Sequence, residues 1–142
     1  MSDKRKRAAG WVMSGLVIAF MALDAAMKLV PLDVVLETSG ALGYPPTTEL
    51  ARGLGITALV CTALYAWPRT AMLGAILLTA YMGGTVASHL RVGNPLFTHM
   101  LFGAYLAVLA WGGLFLRDAR IRALLPLRSP AGTTAEGASL HA

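Results

Sequence analysis

Four long apolar segments account for most of this 142-residue chain. They cover residues 11–30, 50–67, 71–90 and 96–116. A helix of about 20 residues rises about 1.5 Å per residue and crosses a hydrocarbon core of about 30 Å. The sequence therefore predicts an all-α integral membrane protein. We expect a four-helix bundle with short hairpin turns and one longer outer loop.

The composition supports a membrane protein and argues against a nucleic-acid-binding one. Charged residues make up 13% of the chain, about half of the ~25% that is typical of soluble domains. The net charge is +5, but the basic residues lie at the termini and in one short turn, next to apolar segments. Such strips suit anionic lipid headgroups. We therefore predict the lipid bilayer as a partner, and no nucleic acid.

The chain divides into three parts by composition. We predict a basic cytoplasmic tail at 1–10, a transmembrane domain at 11–128 and a disordered tail at 129–142. The N-terminus imitates a signal peptide, but its apolar segment continues through Asp24 to Val30, which favours a retained first helix. Lys and Arg concentrate at both termini and at Arg69. By the positive-inside rule, both termini are expected in the cytoplasm.

The connections differ in length. Residues 68–70 and 91–95 predict tight turns, whereas 31–49 form the longest connection. Within it, 33–37 can form one or two helical turns at the membrane surface. Residues 117–125 predict a short basic amphipathic helix at the surface.

The third apolar segment carries small residues at every fourth position. Such rows let helix backbones approach closely in lipid. We interpret them as packing within the bundle, with a homodimer interface as the alternative. The two rows are Ala75, Thr79, Gly83 and Ala87, and Ala80, Gly84 and Ser88.

Polar side chains concentrate near the outer ends of the four segments. Charged residues inside membrane segments are costly and mark functional sites. Asp24 lies about 9 Å inside its helix end, too deep for a short side chain to reach water. Asp24 and Lys28 have the i,i+4 spacing, acid first, that favours an ion pair. We predict an outward-facing pocket, with a purely structural pair and separate helix ends as alternatives. The candidate ligand-binding residues are Asp24, Lys28, Glu49, Arg52, Tyr81, His89, Arg91 and His99.

The two histidines lie at similar predicted depth. His89 and His99 are each five residues from Asn94, which lies in the turn between them. They suit proton exchange or hydrogen bonding to a bound carbonyl or quinone, and a simple interhelical hydrogen bond is the alternative. Spacing across a hairpin is a weak indication of a metal site, and we predict none. Cys61 is the sole cysteine, so an internal disulfide or a CxxC redox pair is excluded.

Several motifs together resemble the DoxX-like family of small four-helix membrane proteins, over residues 11–128. The resemblance implies a bacterial-type inner-membrane protein. The wider family takes its name from a subunit linked to thiosulfate:quinone oxidoreduction, and other members are associated with redox stress. The motifs are Asp24-x-x-x-Lys28-Leu29, Leu42-Gly43-Tyr44-Pro45, Trp67-Pro68-Arg69-Thr70, Tyr81 to Arg91, Pro95 to His99, and Trp111-Gly112-Gly113-Leu114.

We therefore expect the outer pocket to bind a small lipophilic or quinone-like molecule, with the protein as a membrane partner of a redox system. In this hypothesis Asp24 and Lys28 provide a charged contact, and His89, Arg91 and His99 donate hydrogen bonds. The alternative is a non-catalytic scaffold or chaperone-like interaction protein, and a transporter is a third hypothesis. The sequence identifies no cofactor and no catalytic residue.

Overall fold

The computed structural model describes residues 2–30, 32–95, 97–98 and 101–124. This described part is mostly helical and contains no strand, which confirms the all-α prediction. In chain order the helices are α1 (Asp3–Leu29), α2 (Asp33–Ala41), α3 (Thr48–Ala66), α4 (Ala71–Arg91), α5 (Phe102–Arg117) and α6 (Ala119–Leu124).

Helix α1 begins at Asp3 rather than at Trp11. Its first two turns are rich in Lys, Arg and Ala, which all have high helix propensity. Asp3 lies in the first turn, where a negative charge is favourable next to the helix dipole. The helix ends at Leu29 because Pro31 follows, and the residue before a proline avoids helical backbone angles.

Two short helices confirm local predictions. Helix α2 contains the predicted helical turns at 33–37 and continues to Ala41. It is followed by Gly43, whose φ of 76° lies in the left-handed region that favours glycine. Helix α6 lies within 117–125, where the amphipathic segment was predicted.

The four longer helices pack side against side. Helix α1 contacts α3 and α5, and α4 contacts the same two helices. Helices α3 and α4 are joined by a short connection that contains the predicted turn residues 68–70, and Thr70 donates its hydroxyl to the carbonyl of Leu64 at 2.8 Å. At this turn the helices nearly touch: a Cβ on Gly74 would lie 2.1 Å from the backbone nitrogen of Tyr65. Only glycine fits this crossing.

The core contains one buried polar junction. Tyr65 is fully buried, and its hydroxyl donates to the carbonyl of Ala110 at 2.8 Å. The hydroxyl of Ser14 lies 2.9 Å from the Tyr65 hydroxyl oxygen. Ser14 donates in this bond, because the single hydroxyl proton of Tyr65 is already donated to Ala110. The junction therefore joins α1, α3 and α5.

Three helices, α1, α3 and α4, are long and apolar enough to cross a membrane, and α5 is a shorter apolar helix. Large apolar side chains cover their outer faces, among them Val12, Leu59, Leu73 and Val108. Such a surface is unfavourable in water and suits contact with lipid chains. In the predicted fourth segment, 96–116, the α-helix begins at Phe102, and the described residues 97–98 before it are π-helical.

The small-residue rows of α4 point mainly away from the other helices. Ala75 is buried, as a packing role requires. Gly83 and Gly84 are exposed, and a Cβ on either would meet no atom within 4 Å. The interpretation that both rows pack within the bundle is therefore wrong for these glycines, because α5 packs against the Met82 and Val86 side of α4 and no described helix covers Gly83 and Gly84.

Candidate functional site

The centre of the candidate site is the Asp24–Lys28 ion pair on α1. The Lys28 ammonium donates to both carboxylate oxygens of Asp24, which confirms the ion pair expected from the spacing. The Lys28 side chain is 20% exposed and that of Asp24 30% exposed. The pair is thus partly shielded by protein, but it retains an open side.

Two neighbouring helices form the surroundings of this pair. A Cβ on Gly55 of α3 would lie 2.9 Å from Cβ of Lys28, so α3 packs directly against the lysine stem. Tyr81 of α4 is half-buried against the core and lies close enough to Asp24 for the carboxylate charge to act on its hydroxyl. The structure therefore places Tyr81 within electrostatic range of the Asp24 carboxylate.

Arg91 has a structural contact at the end of α4. Its guanidinium donates to the carbonyl of Leu42 and lies 5.3 Å from the ring centroid of Tyr44. The Tyr44 hydroxyl in turn lies 2.7 Å from Oγ of Ser88. Arg91, Tyr44 and Ser88 thus attach the connection between α2 and α3 to α4. Tyr44 and Ser88 were not among the candidate residues, although both lie in the motifs that carry the family resemblance.

His89 bonds within its own turn. Its Nδ1 lies 2.7 Å from Nδ2 of Asn94, and the Asn94 backbone N–H donates to the His89 carbonyl at 3.1 Å. His99 lies outside the described residues, so a shared histidine site stays a prediction.

The remaining candidates lie at the surface. Glu49 and Arg52 are exposed at the start of α3, and neither forms an ion pair with a described residue. Within the described part of the chain, no three His, Cys, Asp or Glu side chains are arranged to hold a metal ion.

The prediction for one residue at the end of the molecule opposite the ion pair was wrong. Arg117 was assigned to the surface segment 117–125, yet it is only 9% exposed. The sequence did contain an indication of burial, because Arg117 directly follows an apolar segment and its aliphatic stem continues the apolar face of α5. This prediction was wrong because α1 covers the end of α5: a Cβ on Gly10 would lie 2.7 Å from the backbone nitrogen of Arg117.

Comparison with known proteins places the chain in a family. Residues 12–113 match the DoxX-like family. The chain belongs to the DoxX-like family. No curated protein and no solved structure matches it. The match contains all the candidate site residues, and together with the three apolar helices it is consistent with a membrane protein.

Proposed function

We propose that this DoxX-like protein crosses the inner membrane four times, with both termini in the cytoplasm, and binds a small lipophilic, quinone-like molecule at the Asp24–Lys28 pair. The observation that supports ligand binding is the pair itself. It lies within an apolar helix and keeps an open side. Charged groups in such a helix are costly in lipid, and their presence there is a reason to expect a binding or transport site.

The chemistry of the pair suits a ligand with a carbonyl group. An ammonium has three N–H donors, and Asp24 occupies two of them. The third can donate to a quinone carbonyl at the open side. The Tyr81 hydroxyl is a second donor of the same kind, while the apolar face of α1 beside the pair suits the ligand's hydrocarbon part.

The other candidate residues are proposed to form the outer rim of the site. Glu49 and Arg52 are exposed at the adjacent start of α3. His89 and Arg91 lie at the end of α4, where His89 bonds to Asn94 in the following turn and Arg91 holds the connection between α2 and α3. In this proposal His99 completes the rim from the fourth apolar segment, and the site serves a membrane redox partner.

The test is retention of the ligand during purification. The wild-type protein would be purified in mild detergent, and the extracted small molecules identified by mass spectrometry. We expect a quinone or other carbonyl-bearing lipid to be retained reproducibly by the wild type. The amount retained should fall at least about tenfold in the double variant Asp24→Asn, Lys28→Gln, which corresponds to a loss of about 1.4 kcal/mol in binding free energy. Glu37→Gln is the matched control, since it removes an exposed carboxylate from α2. Equal retention in all three proteins would refute the proposal.

A second candidate function, a membrane scaffold, is favoured by the open face of α4. Gly83 and Gly84 leave space for the backbone of another helix, as small residues do in helix contacts in lipid. In this hypothesis Gly84→Leu abolishes association with a second copy or a redox partner without lowering the melting temperature. Light scattering and affinity purification from detergent would measure it. A stable partner together with an empty Asp24–Lys28 site would favour the scaffold over ligand binding.

A further inference from the structure

A cavity of about 350 Å³ lies at the end of the molecule opposite the Asp24–Lys28 pair. It opens where α1 begins, where α3 turns into α4 and where α5 ends. Four arginines line it, together with one aromatic residue and one carboxylate. These are Arg7, Arg69, Arg117, Arg120, Trp11 and Asp118.

Arg117 is the buried member of this group. Its Nη2 donates to the carbonyl of Tyr65 at 2.9 Å, and its guanidinium lies 4.4 Å from the ring centroid of Trp11. Its Nη1 is buried and has no hydrogen-bond partner among the described residues. A buried charged donor without an acceptor is costly, so a negative charge close to the Arg117 guanidinium would be stabilising.

The charges around Arg117 are not neutralised by the described residues. Four guanidinium groups face one carboxylate, that of Asp118. Its Oδ1 accepts the backbone N–H of Arg120 at 2.9 Å, at the start of α6. None of the four arginines forms an ion pair with a described residue. The cavity therefore has an excess of positive charge and an unsatisfied donor.

We infer that this cavity binds a phosphate group, with Arg117 as the buried contact and Arg7, Arg69 and Arg120 around it. Guanidinium groups bind phosphate oxygens through paired, charge-assisted hydrogen bonds. Two sources share this chemistry: the headgroup of an anionic phospholipid and free phosphate. Trp11 at the cavity wall is typical of residues at headgroup level. The site is distinct from the ligand site proposed above.

The test uses the full-length protein in nanodiscs and measures the melting temperature. One arm compares neutral phosphatidylcholine with phosphatidylcholine containing phosphatidylglycerol. The other adds inorganic phosphate to neutral nanodiscs, with chloride at equal ionic strength as the reference. Stabilisation in the first arm alone identifies the lipid headgroup, and stabilisation in the second identifies free phosphate. No stabilisation in either arm would overturn the inference.

Two variants decide whether the cavity itself is responsible. Arg69→Gln with Arg120→Gln removes two cavity charges without touching the Arg117–Tyr65 bond, and we expect it to weaken binding of the stabilising anion about tenfold. Arg5→Gln is the matched control, because it removes an exposed arginine of α1 that does not line the cavity. Native mass spectrometry of retained phospholipid, or phosphate titration, gives the affinity ratio. If Arg5→Gln lowers the affinity for the anion as much per charge removed as the double variant does, the anion is attracted diffusely to the basic end of the molecule. That result would refute a binding site in the cavity.

Discussion

Tyr65 joins three helices through a single hydroxyl group. It accepts from Ser14 of α1 and donates to the carbonyl of Ala110 of α5. Inside a helical assembly in lipid, such bonds each contribute modestly, about 0.6 kcal/mol on average. They nevertheless fix how the helices are rotated, because a hydroxyl accepts and donates only in particular directions. The rotation of α1 about its own axis also determines the direction in which Asp24 and Lys28 point.

Tyr65→Phe removes this junction while leaving the ring in place. We expect a loss of about 1 kcal/mol in the free energy of unfolding, since two modest hydrogen bonds disappear. Equilibrium unfolding in detergent measures it. The control is Tyr105→Phe, at an exposed tyrosine of α5, which should leave stability unchanged. A matching loss in the control would mean that the Tyr65 hydroxyl contributes nothing specific.

The Asp24–Lys28 pair makes a second residue-scale prediction. Lys28→Ala leaves the Asp24 carboxylate without its partner in a partly shielded position. We expect a loss of about 1–3 kcal/mol, and partial recovery in Asp24→Asn with Lys28→Gln, where neither group is charged. Melting in detergent is the measurement, with exposed Lys4→Ala of α1 as the control. If Lys28→Ala melts like the wild type, water already solvates the pair.

At the scale of helices, glycines lie at the closest approaches. Gly10 and Gly113 lie between α1 and α5, Gly55 between α3 and α1, and Gly74 between α4 and α3. Without a hydrophobic driving force in lipid, helices associate through close van der Waals packing. Each of these glycines lets two backbones come near enough for that packing.

Gly74→Ala should therefore destabilise the protein. The added Cβ would lie 2.1 Å from the backbone nitrogen of Tyr65, so α3 and α4 must move apart. Overpacking of this kind costs about 1–3 kcal/mol. Gly83→Ala in the same helix is the control, because open space surrounds that position. It should leave the unfolding free energy unchanged or raise it, since alanine has the higher helix propensity. Similar losses at both positions would contradict the close crossing.

The positions of the helices along the chain were largely predictable from the sequence, whereas which side of each helix is buried was not. Apolar length identified α1, α3 and α4, and i,i+4 spacing identified the Asp24–Lys28 pair. Both are local properties. The burial of Arg117 and the exposure of Gly83 depend on which helices lie alongside, and the sequence of one helix does not contain that information. The proximity of Tyr81 to Asp24 is likewise set by packing between helices.

For the whole molecule, the positive charges concentrate at one end. Arg7, Arg69, Arg117 and Arg120 share the cavity there, while the ion pair lies towards the other end of α1. This asymmetry matches the orientation proposed above, with the arginine-rich end in the cytoplasm.

Reporter fusions test this orientation. A reporter at the N-terminus and another after residue 130 should both give a cytoplasmic signal. A third, inserted beside Glu37 in α2, should report the opposite side of the membrane. A cytoplasmic signal from α2, or an external one from either terminus, would refute the four-span topology or its direction.

The length of α5 bears on the four-span arrangement proposed above. Its 16 residues rise about 24 Å, less than the ~30 Å of a hydrocarbon core. Phe102, its first residue, packs edge-to-face on Phe20 of α1, four residues before Asp24. The start of α5 thus lies about one turn of α1 away from the ion pair. In the four-span arrangement proposed above, thinning of the bilayer around α5 would draw headgroups inward and give a membrane-dissolved molecule a short lateral route to Asp24 and Lys28.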